Sequence, residues 1–285
     1  MMIRVETLSF QPPLDWIGLL GFFGPRAIPG VEAVVNGELR RSLRSAGSAG
    51  TLSTHWTATS LQLQVQGPAE FLDTTESIVQ TARRVFDLDS CAIERLRCFA
   101  RDPVLGPLAE RWPGVRLPGA WDGFEMGVRA ILGQQVTVKA AHTLAGRVAR
   151  KYGTPLDSPF PEVTTLFPQA ATLAAAPVEE LAGLGLTRKR AETLHSFAVW
   201  WSQDRNGNLL DLPGIGPWTE HYIRMRAHSE PDAFPAADLG IHKALGLHGI
   251  GPAKAAKAAE LQSLAWRPWR AYAVILLWRS LGEKP

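Results

Sequence analysis

A glycine turn and one carboxylate carry the chemistry of this chain. The run Leu212-Pro213-Gly214-Ile215-Gly216-Pro217-Trp218-Thr219 sets a proline and two glycines around one apolar residue. Such a run cannot extend a helix, and it turns the chain tightly with its amides exposed. From Trp218 onward the pattern reads as a new helix, so its first N–H groups lack partners and point outward at the positive end of the dipole. That is an anion site, and the glycines Gly214 and Gly216 let a nucleic-acid phosphate approach without a Cβ in the way. A contact of this kind holds DNA without reading its sequence. Asp238, within Phe234-Pro235-Ala236-Ala237-Asp238-Leu239-Gly240-Ile241, lies 20 residues beyond Trp218. The interval accommodates a helix of about four turns, at ~3.6 residues per turn, and a loop that returns the carboxylate to the turn. A carboxylate there could stabilise positive charge on a sugar, or orient or deprotonate a water. It also reads as the N-cap of a helix beginning at Leu239, a role compatible with the others.

In this pairing the chain resembles the helix-hairpin-helix DNA glycosylases, whose signature is a Leu-Pro-Gly-Ile/Val-Gly hairpin followed by an essential Asp. Within that superfamily it is most similar to the bacterial 3-methyladenine DNA glycosylase II (AlkA) type. Further matches are Gln11-Pro12-Pro13-Leu14-Asp15-Trp16, Leu20-Gly21-Phe22, Leu117-Pro118-Gly119, the run from Phe124-Glu125-Met126-Gly127 through Gly133-Gln134-Gln135, and Trp269-Arg270-Ala271-Tyr272-Ala273 with Trp278. They span nearly the whole chain.

The resemblance implies excision of alkylated bases, such as 3-methyladenine and 7-methylguanine, from double-stranded DNA by base flipping and hydrolysis of the N-glycosidic bond. Asp238 would be catalytic. Phe22, Trp218, Tyr222 and Trp278 fall at positions lining the family's base pocket, where stacking and cation–π attraction favour a cationic purine. Gln134 matches a position near the site. Gln135 falls where relatives place the residue that fills the gap left by the flipped base. Gly214, Gly216 and Thr219 would contact the DNA backbone. Bifunctional relatives carry a lysine at the position of Trp218; an indole cannot form a Schiff base, so the enzyme is expected to leave an intact abasic site. No cofactor is required, although the hairpin is expected to hold Na+ or K+ through the carbonyls of Leu210, Leu212 and Ile215. Two other readings stay open: a non-catalytic hairpin protein that binds DNA, and a glycosylase for other damaged bases.

These residues need elements to position them. Residues 3–8 and 61–65 alternate apolar and polar side chains as strands do, with a helix expected within residues 10–26 and an amphipathic one over residues 69–86. From Leu88 onward helical periodicity dominates. The fold class is therefore α+β: an N-terminal antiparallel sheet with helices on one side, then a mainly helical remainder, which the resemblance implies is arranged as two lobes flanking a cleft. The resemblance also implies three units, comprising residues 1–87, residues 119–230 with the hairpin, and a second lobe in which residues 88–118 rejoin residues 231–285. Between Lys189-Arg190-Ala191-Glu192 and the hairpin the chain is short, leaving little more than Leu209 to Leu212 to enter the turn. A second Gly249-Ile250-Gly251 imitates the hairpin but lacks a downstream acid, and reads as an ordinary helix start.

With 285 residues, 46% of them hydrophobic, the chain can bury substantial cores. A net charge of +3 is compatible with a polyanionic partner and does not demand one. Basic clusters at Arg147, Arg150 and Lys151, at Arg188, Lys189 and Arg190, and at Lys254 and Lys257 read equally as DNA contacts and as helix ends. Cys91 and Cys98 are the only cysteines, which excludes a four-thiolate cluster from this chain alone. His242, four residues after Asp238, reads as a surface or phosphate-facing side chain. The apolar stretch at residues 16–24 is too short to cross a bilayer and lacks a cationic start, so a cytoplasmic protein with no membrane contact and no obligatory protein partner is expected.

Overall fold

Alternation in the N-terminal segment produces strands where it is strongest. The computed structural model describes residues 2–203 and 207–282. Strands Met2–Leu8 (β1), Glu32–Val35 (β2), Glu38–Ser45 (β3), Ser48–Trp56 (β4) and Leu61–Gly67 (β5) form an antiparallel sheet in the order β1-β5-β4-β3-β2, with Leu8 opposite Leu61 and Arg41 opposite Leu52. Asn36-Gly37 and Ala46-Gly47, all at positive φ, close the two hairpins between β2 and β4. Asn-Gly is a strong hairpin signal, since both central residues of a type I′ turn need φ > 0. Leu61, Leu63 and Val65 of β5 are fully buried beneath helices Trp16–Phe23 and Thr75–Val85, whereas Ile3 and Val5 of β1 stay more than half exposed. The sheet is thus covered on one side.

Both N-terminal helices are shorter than the periodicity predicts. Pro12 and Pro13 delay the first until Trp16, where the Asp15 carboxylate caps it by accepting from the Gly18 N–H at 2.8 Å. The second breaks at Asp73-Thr74 into Ala69–Leu72 and Thr75–Val85.

Apolar side chains gather into three clusters. One lies under the sheet and extends to Phe86 and Leu88. Another joins helices Gly123–Leu132, Val138–Tyr152 and Arg188–Ser202 and ends at Ile215 of the hairpin. The third draws Phe99, Leu105, Trp112 and Leu117 from residues 88–118 onto Met225, Phe234, Trp266 and helix Arg270–Ser280. Cluster membership crosses the expected unit boundaries at a few places: Ile28 and Val31 pack with the second cluster, and Trp121 with the first.

Buried charges tie the units together. Arg41 on β3 donates to Glu32 at 3.0 Å and to Glu125 of helix Gly123–Leu132 at 2.8 Å, and Arg129 reaches the same Glu125 at 3.0 Å. Arg116 donates to the carbonyls of Gln11, Pro13, Asp87 and Ser90, binding residues 88–118 to the sheet unit. Among the described residues no helix is long and apolar enough to cross a membrane.

Candidate active site

The hairpin is built from a short entry and a buried anchor. Asp204, Arg205 and Asn206 of the shortened segment lie outside the described residues; beyond them, Leu209–Asp211 makes one 3₁₀ turn, its Leu210 N–H capped by the Asn208 side chain at 3.0 Å. Gly214 sits at φ +85°, and a Cβ on it would fall 2.1 Å from the Thr193 hydroxyl, so both conformation and space require glycine there. Gly216 differs. Its φ of −121° suits any residue, and a Cβ would meet nothing within 4 Å. Ile215, 7% exposed, pins the turn to the core.

Helix Pro217–Ala227 then starts with proline at its first position and glycine as its uncapped N-cap. It makes about three turns, and a longer return loop completes the distance to Asp238. Among the described residues the N–H groups of Gly216, Trp218 and Thr219 donate no hydrogen bond. Three aligned orphan donors at a helix start form an anion site.

The Thr219 side chain turns into the protein. It is 2% exposed, and its hydroxyl accepts from the Gln134 amide at 3.0 Å. The same amide nitrogen donates to the Gly214 carbonyl at 2.9 Å. Arg190, in turn, donates to the Gln134 carbonyl at 2.6 Å. Gln134 therefore ties the loop bearing Gln135 to the hairpin, and it still lines the cavity described below. Gln135 is exposed at φ +53°, projecting where the loop leaves helix Gly123–Leu132.

Asp238 comes back to the hairpin helix and is held by three donors. It is the N-cap of helix Leu239–Ala244, with Oδ1 accepting from the Ile241 N–H at 3.0 Å and from the Trp278 indole at 2.8 Å. Oδ2 accepts from the Trp218 indole at 3.0 Å. Trp nitrogen is a donor only, so both indoles prefer the carboxylate as an acceptor and fix its plane. Gly240 makes this approach possible, since a Cβ there would sit 2.9 Å from Asp238 Oδ1 and 3.0 Å from the Trp278 ring.

A cavity of about 1060 Å³ collects these residues: Asp238, Trp218, Tyr222 and Trp278 line it, with Gln134, Gln135, Gly214 and Thr219 toward the hairpin. Trp218 and Tyr222, one turn apart, stack with ring centres 5.2 Å apart, and Tyr222 meets Trp278 at 6.1 Å. Phe22 is not part of the lining. The guanidinium carbons of Arg26 and Arg226 lie 4.0 Å and 4.5 Å from its ring centre, so cations already occupy the faces expected to stack on a base. Burial would raise the Tyr222 hydroxyl's pKa, but Arg226, Arg26 and Arg129 outweigh it and hold the pKa below the usual tyrosine value.

Two histidine and lysine expectations resolve by local packing. His242 faces neither solvent nor phosphate: it is 5% exposed, and its Nε2 lies 2.7 Å from the Ala236 carbonyl, because the fourth position of a helix capped by Asp238 turns inward. Of the basic clusters, Arg147 donates to the Leu184 carbonyl, Lys151 pairs with Glu180 and Arg188 with Glu192, whereas Lys189 and Arg190 line the cavity. The second Gly-Ile-Gly leads into helix Pro252–Ser263 as an ordinary start, and its Ile250 is 47% exposed where Ile215 is buried. Sequence reading missed the donors on Asp238, the Gln134 bridge to the hairpin and Arg26 in the cavity wall. Gly240, an unexplained glycine two residues after the carboxylate, was the available signal for close packing there.

Comparison with known proteins places this geometry. Residues 5–122 match the AlkA N-terminal domain, and residues 128–271 match the HhH-GPD superfamily base excision DNA repair protein model. DNA-3-methyladenine glycosylase 2 of Escherichia coli is 35% identical over 291 residues, covering 98% of both chains. The probable bifunctional transcriptional activator/DNA repair enzyme AlkA of Mycobacterium tuberculosis is also 35% identical, over 96% of this chain; the chain spans 56% of that relative's length. A 3-methyladenine DNA-glycosylase from Archaeoglobus fulgidus superposes with a TM-score of 0.80 over 96% of this chain and 97% of its own, at 21% identity, a likeness of fold. Hairpin, returning carboxylate and near full-length similarity agree: the chain belongs to the HhH-GPD superfamily of base excision DNA repair proteins and carries an AlkA N-terminal domain.

Proposed function

We propose that this protein is a monofunctional DNA glycosylase that excises alkylated bases, among them 3-methyladenine and 7-methylguanine, from double-stranded DNA. The observation that carries the reading is Asp238, clamped by two indole N–H groups beside an uncapped helix start that can grip a phosphate. The names of its relatives support the substrate class.

Binding begins at the hairpin. Gly216, Trp218 and Thr219 offer N–H donors to a phosphate, with Gly216 leaving room for its approach. Gln135, held out at the loop by the Gln134 bridge, fills the stack as the damaged nucleotide rotates into the cavity. Tyr222, Trp218 and Trp278 receive the base. As the C1′–N bond breaks, its electron pair leaves with the base and positive charge grows on the sugar. Asp238, its plane fixed by three donors, offsets that charge and orients the water that adds to C1′. Water, rather than an amine, completes the reaction, leaving an abasic site.

Among the described residues, the Leu210 and Ile215 carbonyls accept no hydrogen bond, while Leu212 already accepts from the Ile215 N–H at 3.0 Å. These unshared oxygens fit the monovalent cation implied by the resemblance, which would supply positive charge beside the phosphate. The division into residues 1–87, residues 119–230, and residues 88–118 with 231–285 is likewise a proposal, supported by the three apolar clusters. A bacterial enzyme of this kind works on the chromosome, in the cytoplasm.

Purified protein mixed with methylated duplex is expected to release 3-methyladenine and 7-methylguanine and to leave strands that break only with alkali or heat. Binding of the duplex without base release would favour the non-catalytic hairpin reading. Covalent trapping by borohydride would contradict the monofunctional assignment.

A further inference from the structure

One edge of the N-terminal sheet is closed off and the other is bare. β2, at one end, has four residues, buries Glu32, and follows Gly30, which bridges to Val163. β1, at the other end, runs seven residues in unbroken register with β5 and contains neither a bulge nor a proline. Among the described residues no strand pairs with its outer edge. Such an edge offers a row of backbone donors and acceptors to any extended chain, and folded proteins ordinarily blunt it with bulges, prolines or a covering element.

The side chains of β1 alternate between two faces. Val5 lines a shallow depression on the uncovered face of the sheet, with Gln62, Gln64, Ser53 and His55, and Ile3 and Thr7 share that face. Met2, Ile3 and Val5 are each more than half exposed, so large apolar side chains gather at the bare edge. Arg4, Glu6 and Leu8 point the other way: Leu8 joins the core under the sheet, and Arg4 donates to the Leu72 carbonyl at 3.2 Å. Neither Arg4 nor Glu6 forms an ion pair among the described residues, and no residue of β1 lines the base cavity.

We propose that β1 pairs antiparallel with β1 of a second copy of this chain, joining two five-stranded sheets into one continuous sheet. Charge selects both the occupant and the register. A two-fold axis through Val5 pairs all seven residues of the strand, setting Arg4 against the partner's Glu6, and Glu6 against the partner's Arg4, on the helix-covered face. On the other face Val5 meets the partner's Val5, with Ile3 beside it. Moving the axis by one residue sets Arg4 against Arg4 or Glu6 against Glu6 and leaves the strand ends unpaired, and like charges directly opposite are destabilising. An unrelated strand has no reason to carry the Arg-Val-Glu order that answers this one, whereas a second copy carries it by symmetry. One strand's edge is a small contact, so the association is weak, in the size class below about 1,200 Å².

Sedimentation velocity of the full chain across a concentration series reads the association directly. The parent's average mass is expected to rise from that of one chain, 31.1 kDa, toward twice that value. Arg4→Glu and Glu6→Arg each set two like-charge pairs across the axis, and each is expected to weaken self-association at least about tenfold. An equimolar mixture of the two variants brings opposite charges together again at both pairs, so it is expected to associate as the parent does, and so is the chain carrying Arg4→Glu with Glu6→Arg. Melting temperature reports folding; if a charge reversal does not fold, Val5→Lys, on the exposed face, sets like charges at the axis and is expected to weaken the dimer in the same way. A parent that stays at one chain's mass at every concentration would overturn the proposal and leave the edge to a strand of another protein. A dimer indifferent to the reversals, or a mixture no more associated than its two components, would overturn it as well.

Discussion

Two tryptophans that read as stacking surfaces spend their polar edges on one carboxylate. The donors from Trp218 and Trp278, at 3.0 Å and 2.8 Å, leave Asp238 little rotational freedom. A hydrogen bond to a charged group is worth about 1.5–3 kcal/mol, so Trp278→Phe, which keeps most of the ring and removes the N–H, is expected to slow excision by roughly 10- to 100-fold. Affinity for undamaged duplex should stay within a factor of about two, since the Trp278 indole donates to Asp238 and is not among the hairpin N–H groups offered to phosphate. A pre-steady-state rate equal to that of the parent would show that the clamp does not matter. Asp238 itself was legible because one acid follows one glycine turn at a fixed interval. Its two indole partners were legible as residues but not as donors, because which edge a ring presents is set by packing that spacing does not encode.

At the scale of the hairpin, the two glycines are not equivalent. Gly214 is required by the folded chain, with its positive φ and the Thr193 hydroxyl against it, whereas Gly216 has an ordinary φ and open space. Gly216→Ala should therefore melt within a degree or two of the parent, yet bind all duplexes more weakly by a similar factor, because only an incoming phosphate would meet the new methyl. Salt titrations of binding check this; an affinity matching the parent across the series would refute the backbone grip. The pattern Pro-Gly-Ile-Gly-Pro announced the turn and the helix start, but could not distinguish the two glycines. That difference comes from helix Arg188–Ser202, which brings Thr193 against one of them and leaves the other free.

Across the whole molecule, the cleft depends on joints between units that no local motif reveals. Glu125 is 4% exposed and answers both Arg41 from the sheet and Arg129 from its own helix. Burial would raise its pKa, but the two guanidiniums outweigh burial and hold it below the ordinary carboxylate range. A carboxylate depressed in the folded state contributes stability that is full above the unfolded value of about 4.5 and is lost as pH falls through the folded value. Glu125→Gln leaves the buried Arg41 and the partly buried Arg129 short of a partner and should cost about 3–5 kcal/mol, read as a lower denaturation midpoint at neutral pH. The deficit relative to the parent should shrink as the pH is lowered through the folded value; a constant deficit would show that charge is not the cause. The order of strands and helices followed from alternation and punctuation, and residues 88–118 were assigned to the C-terminal lobe by resemblance alone. Ile28 and Val31 crossing into the hairpin unit were not foreseen, since an apolar residue names no partner until the chain has folded around it.

The central claim is that the clamped Asp238 carboxylate drives base excision. Single-turnover release of 7-methylguanine by Asp238→Asn, measured beside its affinity for the same duplex, tests it most directly. Asparagine keeps the shape and removes the charge that answers the sugar, so the rate is expected to fall by at least about 10²-fold while affinity changes by less than about threefold. A variant that releases the base at nearly the parent's rate would contradict the account.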